Sequence, residues 1–430
     1  MITTATRKGV FYGWWVAIAC SIIYGLASIG HYATSIFFPF ISMEMGWTEA
    51  DLGMVFSIYL WVFVGGGFLA GYLVDRIGGR KTFIIGAVIG CTGLVLLSTI
   101  NSYTQLLIYY SVIASVGIAM QLVIPTQAVA RKWFVKRAGL VAGIITATFG
   151  VSSALLFPLL TQSAAAQGWQ TTLWQCAVAV EAIVILLAVF VVRDTPESIG
   201  LHPDGALEPV GEVLQSGEHA LSEPYYNLRQ ALKTPQVWLI ASAVGFASMV
   251  VVTFIGHLTM WASKLGVDQA VTGTFMTAWA LPSIAARVVG GWLGDRLGKR
   301  PVLIGVCAIL IGVMIYGWLG VHDAGSLYAF SIAGGFFMIV PVVLGTPFLG
   351  DLFGRRYLGT IGGFLGIIGG LVAGLGPWLW GHVATTTGSY NPVLPYMAIG
   401  YAVSCVCVAC IRPTEVEKET ILKSHSDRRQ

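Results

Sequence analysis

Arg287 is a cation with no polar neighbour in sequence. In Leu281–Arg300, LPSIAARVVGGWLGDRLGKR, it stands inside a long apolar run, eight residues before the charged turn that opens at Asp295. Eight residues of helix rise about 12 Å, and the hydrocarbon core of a bilayer is about 30 Å thick. The guanidinium is therefore expected near mid-depth, where a permanent charge costs several kcal/mol unless something pairs with it or wets it. Its planar fork of donors suits a carboxylate, which it grips through two parallel bonds. Ser283, one turn earlier on the same face, adds a hydroxyl. The bland alternatives are a structural ion pair, with Glu181 the available acid, or a side chain snorkelling to the membrane edge. Eight residues is too deep for easy snorkelling.

The other groups able to do chemistry inside apolar runs are few. Glu181 lies twelve residues before Arg193, roughly 18 Å along a helix. It is either a proton site or a carboxyl that stays protonated and hydrogen-bonded to a neighbouring helix, and the second is the expectation. His31 and His257 fall in the outer thirds of the first and seventh runs. Histidine is the side chain that titrates between pH about 5 and 8, so both are proton-coupling candidates, with His31 ahead because Tyr32 stands beside it. Tyr24 and Gln121 are further polar groups within runs that could touch a ligand. Phe336 and Phe337 could form an apolar wall, with simple aromatic packing as the alternative.

The elements that must position these residues follow from hydropathy. Hydrophobic residues make up 56% of the chain and charged residues 10%, which identifies an integral membrane protein. Runs long enough to span a bilayer occupy about 11–38, 52–74, 82–100, 104–130, 138–162, 170–192, 235–263, 270–294, 301–319, 326–350, 357–383 and 394–411. That predicts an all-α protein of about twelve transmembrane helices. Of the 24 Lys and Arg, all but Arg287 and Lys264 fall on one side, including Arg7, Lys8, Lys136, Arg355 and Arg356. By the positive-inside rule that side is the cytoplasm and holds both termini. The first run is too long for a cleavable signal peptide and lacks a small-residue cleavage site. The seven cysteines all lie within apolar runs, without metal-ligand spacing or a disulfide framework. The net charge of +4 forms no single patch, so nucleic acid is not an expected partner.

Residues 194–233 cannot span a membrane. Four prolines and a series of acids mark them as a linker, with a short surface helix near 226–232. The halves on either side repeat. Gly71-Tyr-Leu-Val-Asp75-Arg76-Ile-Gly78-Gly-Arg80-Lys81 returns as Gly291-Trp-Leu-Gly-Asp295-Arg296-Leu-Gly298-Lys299-Arg300, 220 positions later. Arg137, Gly143, Gly150 and Pro158 return as Arg356, Gly362, Gly369 and Pro377, 219 positions later. Two registers agreeing within one residue predict two similar bundles facing each other across a pseudo-twofold axis.

The doubled G-x-L-x-D-R-x-G-x-K/R turn, the twelve spans and the central linker resemble the major facilitator superfamily over nearly the whole chain. Trp133-Phe134-Val135-Lys136-Arg137-Ala-Gly-Leu-Val-Ala-Gly143 resembles the loop into span 5 of its monocarboxylate and oxalate/formate-type branches. Gly13-Trp14-Trp15 is similar to part of the monocarboxylate span 1 motif, with Tyr12 and Ala17 where that motif has an acid and a Trp. Arg287, with Gly291 and Asp295 after it, falls where that family carries its substrate-binding arginine. Animal members have an aspartate four residues before it; here that residue is Ser283. The resemblance implies that span 6 is peripheral and that Asp75, Arg76, Arg80, Asp295, Arg296 and Arg300 are gating residues that bridge the two bundles in one state and part in the other.

The expected domains are a six-helix bundle over 1–193, a cytoplasmic linker over 194–233, a second bundle over 234–411 and a cytoplasmic tail over 412–430. The expected function is secondary transport of a small organic anion, a monocarboxylate by preference, with proton symport. The ligand would meet Arg287, Ser283, Tyr24, His31, Gln121 and Phe336. Carboxylate exchange of the oxalate/formate type is the alternative, but that branch has a second basic residue in span 11, and residues 357–383 hold no Lys or Arg. A sensor or an intramembrane enzyme has less to recommend it, since there is no soluble signalling domain, nucleophile elbow or metal cluster. No phosphate-binding G-x-x-x-x-G-K-S/T run is present, so ATP is not the driving force. No cofactor is expected, and the chain is expected to act as a monomer in the bacterial inner membrane.

Overall fold

The computed structural model describes residues 11–135, 137–205, 226–354, 357–412 and 414. The expectations for Arg7, Lys8, Lys136, Arg355, Arg356, most of the linker and most of the tail lie outside them.

Among the described residues twelve long helices run in chain order: α1 Tyr12–Met45, α2 Glu49–Ile77, α3 Gly79–Leu97, α4 Tyr103–Trp133, α5 Ala138–Gln167, α6 Trp169–Phe190, α7 Pro235–Lys264, α8 Gln269–Leu297, α9 Lys299–Gly320, α10 Ala324–Phe353, α11 Thr360–Thr387 and α12 Asn391–Cys410. Eleven are long and apolar enough to cross a membrane. The other, α8, is 29 residues long; Arg287, Asp295 and Arg296 dilute its apolar character. The halves form two six-helix bundles. In the linker one turn, Leu228–Ala231, is capped by Asn227, whose side chain accepts from the Gln230 amide at 2.9 Å.

The first helix corrects the sequence expectation. It does not end near residue 38 but breaks at Tyr32 and continues to Met45 through Pro39. The break puts His31 at mid-length rather than in the outer third. The prolyl ring removes the donor that would meet the Ser35 carbonyl, and that carbonyl accepts from Thr259 of α7 instead. A break also occurs at Met120–Leu122 in α4 and at Ile339 in α10, 219 positions apart for Met120 and Ile339, so the repeat extends to helix irregularities. The two signature turns match as well. Gly78 and Gly298 have φ of 89° and 87°, a conformation that only glycine adopts readily. Arg76 lies over the Tyr72 ring at 4.7 Å, and Arg296 over the Trp292 ring at 4.6 Å.

The bundles meet at the end away from these turns. There Lys264 Nζ pairs with Glu49 Oε1 at 2.9 Å, Thr385 Oγ1 donates to Glu49 Oε2 at 3.2 Å, and the Ala50 amide donates to Thr385 Oγ1 at 3.0 Å. Gly53 lies against the Pro377 carbonyl and Gly381 against the Glu49 carbonyl, so a side chain at either would force α2 from α11. On the other flank Thr277 Oγ1 donates to the Ala154 carbonyl at 2.7 Å, joining α8 to α5. Between the flanks, Ser35 of α1 bonds to the Ile255 carbonyl of α7, and Thr259 of α7 bonds back to the Ser35 carbonyl. Among the described residues, every hydrogen bond and ion pair between the bundles lies in this half or at mid-length. The charged turns at the other end bond within their own halves: the Arg80 amide to Asp194 Oδ1 at 2.9 Å, Arg300 to the Ala409 carbonyl, and Lys299 to Asp351.

Candidate functional site

The two flanks form differently. Along α8, Thr277, Ala280, Ile284 and Arg287 recur at helical spacing and trace one stripe. Its upper part is sealed against α5, where Gly150 lies against Ala280 and Ile284. Arg287 is the next residue on the stripe, one turn beyond these contacts. It is half-buried, its Nε is enclosed without an acceptor, and it forms no ion pair among the described residues. The phenols of Tyr24 and Tyr32, on α1, are the groups within its electrostatic reach. Mid-membrane, an arginine without an anionic partner is an expensive arrangement.

Glu181 is not that partner. Gln121 Nε2 donates to its Oε1 at 3.2 Å, inside the first bundle, and Gly90 of α3 closes over both side chains. Glu181 is 2% exposed and Gln121 fully enclosed. Glu181 is thus hydrogen-bonded to a neighbouring helix, and Gln121, expected at the ligand, bonds to Glu181 and to the Gly117 carbonyl. Ser283 shares a helix with Arg287 but is fully buried, with its hydroxyl donating to the Ala280 carbonyl at 2.7 Å. A serine in a helix interior commonly bonds back in this way. Phe336 packs edge-to-face on Phe337 at 5.1 Å, against the hydrophobic core.

A cavity of about 340 Å³ opens between α1, α2, α7, α10 and α11. His31, Leu60 and Phe63 form one wall; Val244, Ser248 and Thr346 are on the other. Of the residues expected at the ligand or the proton, only His31 is among those that line it. Arg287 lies off this cavity, toward α5. The break in α1 joins the two regions: His31 turns to the cavity, while the next residue, Tyr32, packs on Phe149 of α5 at 5.2 Å, which in turn meets Trp279 of α8 at 6.3 Å.

The two histidines have different surroundings. His31 Nδ1 is 3.0 Å from the Tyr59 hydroxyl, and its other ring nitrogen has no protein partner among the described residues. His257 is 2% exposed, with Nε2 2.9 Å from the Pro377 carbonyl and Nδ1 3.2 Å from the Tyr390 hydroxyl. It belongs to the packing of the second bundle, not to the cavity. Sequence reasoning does not single out Tyr59, Phe63 and Tyr390, which show only as aromatic residues in apolar runs, or the Glu49–Lys264 pair, whose members stand at the ends of runs. No group of three His, Cys, Asp or Glu among the described residues could hold a metal ion.

The family model that describes the Major Facilitator Superfamily matches residues 20–263 and 240–429. The chain belongs to the major facilitator superfamily. This superfamily member is 25% identical over 407 residues to the "Probable sulfoacetate transporter SauU" of Cupriavidus necator, covering 88% of each chain. It is 24% identical to "Monocarboxylate transporter 2" of Mesocricetus auratus, covering 90% of this chain and 81% of that one. Among solved structures, a bacterial homolog to the human lysosomal transporter Spinster, inward-facing and unoccupied, superposes with a TM-score of 0.69 at 14% identity, over 94% of this chain and 95% of that one. That likeness establishes the shared fold.

Proposed function

We propose that this superfamily member is a secondary transporter of a small organic anion, a monocarboxylate by preference, working by alternating access with proton symport. The observation that carries the reading is Arg287: a half-buried guanidinium at the seam of the bundles, one turn beyond their seal, with an enclosed Nε and no acid among the described residues to neutralise it. An incoming carboxylate supplies the missing charge and the bidentate acceptor. One cation suits one carboxylate, and α11 bears no Lys or Arg over Thr360–Thr387, which favours symport of a monoanion over exchange of dianions. Relatives named for sulfoacetate and monocarboxylate transport support the anion class.

In this reading the turns at Gly78 and Gly298 face the cytoplasm, as the distribution of Lys and Arg requires, so the structure is closed outside and parted inside. Asp75, Arg76, Arg80, Asp295, Arg296 and Arg300 then act as gating residues, engaged across the seam when the inner end closes. His31, on the cavity wall, carries the proton. The protein sits in the bacterial inner membrane as a monomer.

The test has two steps. A thermal-shift screen of small mono- and dicarboxylic acids and sulfonates on the purified protein identifies a stabilising anion. Proteoliposome uptake of that anion under a pH gradient, acid on the side of entry, is then measured. The reading expects accumulation against the gradient, abolished by a protonophore. Transport that ignores the pH gradient and requires an anion on the opposite side would replace symport with exchange.

A further inference from the structure

The His31 ring has one nitrogen on the cavity and one on a hydroxyl. Tyr59, which supplies that hydroxyl at 3.0 Å, is fully buried and stacks on Tyr110 at 4.5 Å. Tyr110 in turn donates to the His31 carbonyl at 3.0 Å, one of the backbone groups next to the α1 break. Phe63 packs on the imidazole at 4.6 Å. The ring is therefore held from α2, and the backbone carrying it from α4.

The kind of partner matters. A carbonyl only accepts, so the Pro377 carbonyl requires a proton on His257 Nε2. A hydroxyl both donates and accepts. It donates to Nδ1 of a neutral imidazole and accepts from Nδ1–H of an imidazolium, leaving no broken bond in either form.

We infer that Tyr59 is the positioning residue of proton coupling: it fixes the His31 ring with its second nitrogen facing the cavity and stays bonded to Nδ1 in both protonation states. The inference rests on the reading of His31 as the proton carrier. The groups facing the ring fit a histidine governed by a phenol. Tyr32 stands edge-on at 4.5 Å, and among the described residues the cavity walls from α2, α7, α10 and α11 bring Ser248 and Thr346 but no Asp, Glu, Lys or Arg. Arg287, on α8, is within electrostatic reach of Tyr32.

The experiment follows the His31 ring nitrogens by NMR in lipid nanodiscs, with no substrate, as a function of pH, in the full chain and in Tyr59→Phe. His31 is expected to titrate between pH about 5 and 8 in the parent. Loss of the hydroxyl is expected to displace the midpoint by about half a pH unit or more. If Tyr59→Phe folds poorly, fluorotyrosine at position 59 keeps ring and bond but changes donor strength, and it too must displace the midpoint. An unchanged midpoint in a titrating His31 overturns the inference alone. A His31 that does not titrate in that range in the parent overturns the proton-carrier reading, and this inference with it.

Discussion

Ser35 and Ile255 stand 220 positions apart and meet, the Ser35 hydroxyl bonding to the Ile255 carbonyl where α1 crosses α7. The same interval separates the two signature turns, so the residues joined here are equivalents of one another in the two halves. A contact between equivalents lies on the axis relating them. The pseudo-twofold axis therefore runs along the seam through this crossing of α1 and α7, and the opposite half can part by hinging across the closed half.

Closure of that half rests on a charge pair near its rim. The Lys264 and Glu49 side chains are 29% and 17% exposed, and surface pairs of this type contribute about 0.2–1 kcal/mol, which changes a two-state ratio by about 1.4- to 5-fold. Glu49→Gln and Lys264→Gln are each expected to raise labelling of a cysteine at Val252, on the cavity wall, by an impermeant thiol reagent added outside cells. The exchange Glu49→Lys with Lys264→Glu should lower it again. Equal labelling in all variants would remove the pair from the gate.

The signature aspartates should act on the same balance from the other end. Replacing Asp75 or Asp295 by Asn is expected to change initial transport rate more than equilibrium binding, since both side chains are exposed beside their turns and distant from the Arg287 seam. A tenfold loss of binding at unchanged thermal stability would place the aspartate at the ligand.

Much of this fold is legible from the chain, for physical reasons. Each span must satisfy its own backbone in lipid, so hydropathy marks the helices, and a lone mid-run arginine is conspicuous for the same reason. Side-chain direction is the part that does not show. Ser283 has the right spacing to accompany Arg287, yet its nearest acceptor is its own helix at Ala280. His257 and His31 look like a matched pair, but at the 220-residue interval the partner of His257 is Phe37. Its bonds depend on where α11 places the Pro377 carbonyl. Gln121 is drawn away by Glu181, a contact that spans 60 residues.

That contact makes its own prediction. Glu181→Gln keeps the shape and a hydrogen bond to Gln121, so transport and pH dependence should stay within about twofold of the parent. Glu181→Leu takes away the side-chain partner of the enclosed Gln121 and leaves it the Gly117 carbonyl, a cost of about 1–3 kcal/mol, visible as a thermal midpoint lowered by several degrees. Loss of proton-driven accumulation in a stable Glu181→Gln protein would move the proton site from the cavity into the first bundle.

For the cavity histidine, His31→Gln keeps size and hydrogen bonding while removing the titration. The variant is expected to exchange the anion across the membrane at close to the parental rate and to lose accumulation under a pH gradient. Normal accumulation would take the proton off His31.

The central claim is that Arg287 binds the anion, and uptake by Arg287 variants tests it most directly. Labelled anion from the thermal-shift screen is presented to proteoliposomes holding equal amounts of folded parent, Arg287→Lys and Arg287→Ala protein. Two charge-assisted bonds of about 1.5–3 kcal/mol each are at stake, so Arg287→Ala should lose about a hundredfold or more. Arg287→Lys, with charge but no fork, should remain severely impaired. Near-parental uptake by Arg287→Ala would contradict the account.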